Sequence, residues 1–328
     1  MQITWLLGAL LRKLKILLTT TSFQDTPGLH QKLLYNQEFE IETLRGPILE
    51  DELLAIIQNY DAVICGDDEF TEAVLEKGAR GNLKYISKYG VGLDRIDLKA
   101  AKRLNIPVTN CPSVNQTSVS EHVLALLFTF EKNVHIQHNS VQTGSWKRWV
   151  GNEIEGRIIG IIGLGAVGKE LAKKSLALGM EVICFDLYKD EKFLEQFKAI
   201  DFVDNLDDIY QKADIISLHV PHTKETNKLI DKTVVFGKLK KPAIIVNTAR
   251  GKLVDSRAII EGIDAGKIRA YLTDVLADEP MLESEVLKGV ENVIITPHVG
   301  SRTFQSVQRQ GLMAVNNLLK LINQDATN

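Results

Sequence analysis

Short β-branched runs alternate with helical stretches along almost the whole chain, and no other feature narrows the fold as much. Strand-like KILLTT, FEIETL, AVIC, LKYISK and PVTN come first, separated by helical segments such as EDELLAIIQN and DLKAAKRL. A second series, RIIGIIG, EVICFD, DIISLHV, AIIVNT, AYLTDV and NVIIT, has GKELAKKSLALG and DSRAIIEGIDAG among its connections. Strands joined by helices run parallel, because the crossover returns the chain to the same end of the sheet. Near-continuous apolar runs are what strands covered on both faces require. The expected class is α/β, with two doubly wound parallel-sheet domains, and a length of 328 residues is enough for two cores.

The junction between the series is a long apolar helix, SVSEHVLALLFTFEKNV, in which Ser118 and Glu121 read as an S-x-x-E capping box. Its apolar surface is broad enough to need cover on more than one side, which suits a domain junction or a subunit interface. After Pro297 the chain enters a final helix, about Ser306 to Asn323. The expected division is residues 1–112 with 299–328 in one domain and 113–298 in the other.

Composition excludes several partners. A net charge of −3 carries no basic excess for nucleic acid or an anionic membrane. Cys65, Cys111 and Cys184 are scattered without a CxxC pair, so buried thiols in a reducing compartment are expected and no disulfide framework or metal site is. His135 and His138 share a helical spacing but lack cysteine or carboxylate companions, which makes them part of a solvated face. In MQITWLLGALLRKLK the basic residues Arg12, Lys13 and Lys15 follow the apolar run, and the run is too short to span a bilayer. It reads as an extension before the first strand, in a cytoplasmic protein.

Gly163-Leu164-Gly165-Ala166-Val167-Gly168 follows the apolar strand IIGII directly and opens the helix GKELAKKSL. In that context G-x-G-x-x-G is a dinucleotide fingerprint. Gly163 makes the tight turn, Gly165 admits a pyrophosphate, Gly168 lets helix and strand pack, and the phosphates meet the helix N-terminus around Ala166 and Val167. The next strand ends on Asp186, placed to accept from the ribose hydroxyls of an adenosine; this favours NAD.

Three later residues make up one chemistry: Arg250 after the strand of AIIVNTARG, Glu279 in ADEP, and His298 in TPHVG after NVIIT. Hydride transfer to a 2-keto acid builds negative charge on oxygen, which an imidazolium and a guanidinium stabilise where it develops. Arg250 can grip a carboxylate with two parallel bonds, and Glu279 would orient His298 and favour its charged form.

From the fingerprint onward the chain closely resembles the D-isomer-specific 2-hydroxyacid dehydrogenases, above all their D-3-phosphoglycerate-dehydrogenase-like branch. The resemblance also takes in ISKYGVGLDRIDLKAAKRLNIPVTNCPSVNQTSVSEHV, SLHVPHTKETNKLI, VNTARGKLVD, LTDVLADEP and TPHVG. It implies a flavodoxin-like substrate domain and a Rossmann NAD-binding domain. Arg250 would bind the substrate carboxylate and polarise the keto oxygen, and His298, paired with Glu279, would be the general acid and base. Asp274 would anchor the nicotinamide carboxamide; His219, Val220, Pro221 and Thr226 would line the cofactor, with Thr248 and Ala249 beside Arg250. Amides at Val91 and Gly92 would meet the substrate from the other domain, and a homodimer would form through the cofactor domain and the segment Trp146 to Trp149. Lys88 or Arg95 is a candidate for a substrate phosphate, or else a surface or interdomain charge. No regulatory domain of the kind that gives feedback by serine is expected after the final helix. An NAD(H)-sensing interaction protein is the alternative from another class, with phosphite or formate oxidation nearer to hand. Formate enzymes of the family carry glutamine where Glu279 stands, which lowers that option.

Overall fold

The computed structural model describes residues 12–325, so the expectation for the N-terminal apolar run falls outside the described residues save for its last few positions. The chain divides into two compact units, one running to Asn115 and resuming at Arg302, the other Gln116–Ser301.

In the first unit, β1 (Lys15–Leu18), β2 (Glu40–Thr43), β3 (Ala62–Cys65), β4 (Tyr85–Lys88) and β5 (Val108–Thr109) form a five-stranded sheet in the order β2-β1-β3-β4-β5. Every pairing is parallel. The two faces separate by residue parity, as a period of two requires. Leu17, Val63, Cys65 and Ile86 point into one apolar cluster, and Ile16, Leu18, Ala62, Ile64 and Tyr85 into the other. The second cluster is closed by the Phe304–Asp325 helix, which contributes Ala314, Val315 and Leu318.

The second unit holds β6 (Ile158–Ile162), β7 (Glu181–Phe185), β8 (Ile200–Phe202), β9 (Ile215–Leu218), β10 (Ala243–Asn247), β11 (Ile268–Thr273) and β12 (Val293–Ile295). Their order is β12-β11-β10-β9-β6-β7-β8, again parallel throughout. Ile215, Ile244 and Val246 face one core while Ile216, Leu218 and Ile245 face the other, so the central strands are apolar on both sides. The strand β8 escaped sequence analysis because Asp201 interrupts a short apolar run.

The junction helix differs from expectation at its start. It spans Gln116–Glu131, so Ser118 lies inside it and caps nothing. The Ser118 hydroxyl instead donates to the carbonyl of Gly300 at 2.7 Å. Buried Val123, Leu124, Leu126 and Leu127 pack the helix against the second unit's sheet. At its end the buried Glu131 carboxylate pairs with Arg157 and Arg269, which fixes the helix to the start of β6 and to β11. All three cysteines are buried and unpaired. Among the described residues no helix is long and apolar enough to cross a membrane, and no group of side chains could hold a metal ion.

Candidate active site

Sheet order places the second unit's candidate residues along one edge. Because the strands are parallel, their carboxyl ends all lie on the same side. His298 follows β12, Asp274 and Glu279 follow β11, Thr248 to Arg250 follow β10, His219 follows β9, the fingerprint follows β6 and Asp186 follows β7. These are six neighbouring strands. The chain order reverses between β6 and β9, the switch point at which open α/β sheets bind ligands.

At that point Gly163 takes φ +101°, which an L side chain rarely adopts, and its amide donates to the Phe185 carbonyl at 2.8 Å. The Ala166–Ala177 helix begins on Gly165 with no side-chain cap, so its first amides are left for a ligand. A Cβ on Gly165 would point into open space, whereas one on Gly168 would lie 2.0 Å from the Gly163 carbonyl oxygen. Asp186 is held by the turn itself: its Oδ2 accepts from the Leu164 amide at 2.6 Å and its Oδ1 from the Tyr188 amide at 3.1 Å. Nearby Lys189 is paired with Glu191. Thr248 carries a buried hydroxyl oxygen with no hydrogen-bond partner. Uncapped helix, open glycine, anchored acid and orphaned hydroxyl together fit a dinucleotide.

The Arg250 turn is shaped by a residue that sequence analysis passed over. Asn247, fully buried at the end of β10, accepts from the Ala249 amide at 3.1 Å and donates to the Arg250 carbonyl at 2.9 Å. Its Nδ2 also approaches the Tyr271 hydroxyl at 3.3 Å. A buried amide at a strand end needs all its partners, and here those partners are the turn. Arg250 Nη1 donates to the Ala249 carbonyl at 2.7 Å.

His298 and Glu279 meet as expected. His298 Nδ1 lies 2.8 Å from Glu279 Oε2, and Glu279 Oε1 accepts from the Leu276 amide at 2.9 Å, so the carboxylate is itself held while it orients the ring. His298 occupies the left-handed region with φ +52°. Asp274, which the resemblance assigns to the nicotinamide carboxamide, is 2% exposed and is occupied by the protein. It accepts from Thr296 Oγ1 at 2.6 Å and from the Val299 and Gly300 amides at 2.9 and 2.7 Å. Burial opposes its charge, but these bonds and one from His122 outweigh that and hold the carboxyl below its ordinary range.

His219 Nε2 is 2.8 Å from Ser217 Oγ, and burial pushes its pKa from 6.5 down to about 4. The unfolded chain therefore binds a proton that the folded one refuses between about pH 6.5 and pH 4. Stability present above that window should drain as pH falls through it. His219→Gln is expected to flatten the fall of Tm across this range, and an unchanged slope would count against the assignment. Val220 and Pro221 continue this loop; Thr226 Oγ1 donates to the Pro221 carbonyl at 2.7 Å and accepts from the Thr223 amide, so it first serves to close a turn.

In the first unit, Val91 and Gly92 follow β4 in a turn where Asn110 Nδ2 donates to the Val91 carbonyl at 2.7 Å. Lys88 is not a surface charge. It is 3% exposed and donates to the Gly66 carbonyl at 2.6 Å and to Asp67 at 2.8 Å. Arg95 is paired with Glu69 at 2.6 Å.

Residues 124–300 match the family model described as the NAD binding domain of the D-isomer specific 2-hydroxyacid dehydrogenases. The hydroxypyruvate reductase of Thermotoga maritima is 36% identical over 294 residues, covering 88% of this chain and 93% of that protein. The chain belongs to the D-isomer specific 2-hydroxyacid dehydrogenase family. The D-3-phosphoglycerate dehydrogenase of Archaeoglobus fulgidus is also 36% identical, over 286 residues and 86% of the chain, but the match covers 53% of that protein. The chain thus spans about half the length of the phosphoglycerate dehydrogenases it matches. Among solved structures, the TT0316 protein of Thermus thermophilus superposes with a TM-score of 0.83 at 32% identity, over 94% of this chain and 97% of that one. The apo D-lactate dehydrogenase of Escherichia coli gives 0.82 at 26%, with the same coverages. As a member of the family the chain carries an NAD binding domain, and the fingerprint, Asp186 and Thr248 provide the fit.

Proposed function

We propose that this chain is an NAD-dependent dehydrogenase that interconverts a D-2-hydroxy acid and its 2-keto acid. The observation that carries the reading is the His298–Glu279 pair at 2.8 Å, on the same sheet edge as the dinucleotide fingerprint. A bound nicotinamide supplies the hydride. With Nδ1 turned to Glu279, proton exchange with the substrate oxygen falls to Nε2 of His298. Arg250 holds the carboxylate and draws charge from the keto oxygen.

We read the substrate as a small 2-keto acid of the hydroxypyruvate or glyoxylate kind in preference to a phosphorylated one. The two cations that the sequence offered for a phosphate already have partners, Lys88 in Asp67 and the Gly66 carbonyl, Arg95 in Glu69. The relative matched over 93% of its length is named hydroxypyruvate reductase. A homodimer goes with this reading, since Val134, Val141, Trp146 and Val150 expose 45–95% of their surface on one stretch of the cofactor-binding unit. The unpaired cysteines suit a cytoplasmic setting.

The test is oxidation of NADH and NADPH across a panel of 2-keto acids that includes phosphohydroxypyruvate, with the preparation's mass measured in solution. Turnover of glyoxylate or hydroxypyruvate with NADH by a dimer is expected. Tight NADH binding without turnover would replace the enzyme with a nucleotide-sensing interaction protein, and preference for the phosphorylated acid would overturn the substrate assignment.

A further inference from the structure

We propose that His122, on the Gln116–Glu131 helix, is a positioning residue that holds the His298 loop in its reactive conformation. The proposal rests on the dehydrogenase reading and adds a residue outside the reacting set. His298 sits at φ +52°, where a residue with a Cβ is disfavoured, so the conformation persists only if its surroundings enforce it.

The enforcement comes from two sides. From β11, the Asp274 carbonyl accepts from the His298 amide at 2.9 Å, and the Asp274 carboxylate takes the Val299 and Gly300 amides and the Thr296 hydroxyl. From the helix, His122 Nε2 lies 2.9 Å from Thr296 Oγ1 and 3.3 Å from Asp274 Oδ1, while Ser118 Oγ donates to the Gly300 carbonyl at 2.7 Å. Ser118 and His122 are one helical turn apart and so share a face. The hydrogen-bond inventory settles the direction. A hydroxyl has one proton, and Thr296 gives it to Asp274, so His122 must donate to Thr296 from a protonated Nε2. That N–H fixes the threonine rotor, which in turn fixes Asp274. There is no slack in the clamp: a Cβ on Gly300 would lie 2.9 Å from Asp274 Oδ2 and 3.5 Å from His122 Cδ2.

The experiment compares His122→Leu and His122→Gln in the full chain, with the 2-keto acid that the wild type turns over. Loosening the loop should displace the proton donor, and a displacement of about 1 Å costs up to roughly a hundredfold. His122→Leu is expected to lose at least about tenfold in kcat with KM for the keto acid within about twofold. Glutamine can present an amide N–H near the place of Nε2 and should recover much of kcat. Should His122→Leu fail to fold, Thr296→Val replaces it and is expected to lose kcat to a similar extent, and a folded Thr296→Val protein with wild-type kcat would overturn the proposal. A folded His122→Leu protein with wild-type kcat, or a glutamine variant as slow as the leucine one, would overturn the proposal. Wild-type protein inert toward every keto acid would instead sink the dehydrogenase reading and this one with it.

Discussion

His298→Asn is expected to lower kcat by about 10²–10⁴-fold, the range that a positioned proton donor supplies, while NADH binds as before. The reason is geometric. His298 is joined to Glu279 through Nδ1 at 2.8 Å, and Glu279 is tied to the Leu276 amide, so the ring's other nitrogen is presented by a preset frame. Asparagine tolerates the left-handed backbone at this position, where φ is +52°, so the loop should survive the change and the loss should belong to the proton transfer alone. Stopped-flow reduction of the keto acid together with NADH fluorescence titration separates the two effects. Retained turnover, or loss of cofactor affinity in step with kcat, would remove His298 from the role of acid. The fingerprint lies several strands away along the sheet edge, which is why cofactor affinity should be indifferent to this substitution.

Adding one methyl group at Gly251 is expected to do comparable damage from a position that touches no ligand. A Cβ there would lie 2.0 Å from the Leu276 carbonyl carbon and 2.3 Å from the Ala277 amide nitrogen, both backbone atoms. Neither side can yield easily. The Arg250 turn is clamped by Asn247, and Leu276 is bonded to the carboxylate that orients His298. Gly251→Ala must therefore separate the Arg250 turn from the Glu279 loop, so kcat/KM should fall by about a hundredfold or more. Overpacking of this kind costs about 1–3 kcal/mol and should lower Tm by several degrees. Gly237→Ala is the control, since its Cβ would meet nothing within 4 Å and should leave both quantities alone. Activity and Tm indistinguishable between the two variants would show that the close approach has no functional weight.

Much of this was legible in the sequence because it is local. Periodicity identifies strands whose two faces are both buried, and Gly163, Gly165 and Gly168 carry their meaning through the strand before them and the helix after. Arg250, Glu279 and His298 are likewise readable as strand-end residues. Ser118 shows where that kind of reading stops. Its S-x-x-E spacing is a genuine capping pattern, yet the helix begins at Gln116, and the hydroxyl is used across the fold at Gly300.

What the sequence determined by itself is the alternation that commits the chain to parallel sheets, the place of the nucleotide turn, and the residue types able to move a proton and grip a carboxylate. Which groups support them was decided only by the tertiary structure. Asp274 joins Thr296, Val299 and Gly300, and His122 reaches Thr296 across 174 positions of chain. Lys88 is buried on Asp67, not left at the surface. The physical reason is that strand order, β12-β11-β10-β9-β6-β7, is set by how helices pack on a twisted sheet, and no local pattern encodes it. Partners for a buried polar group are chosen by that order, because each must find a donor or acceptor among whatever the neighbouring strands and helices bring beside it.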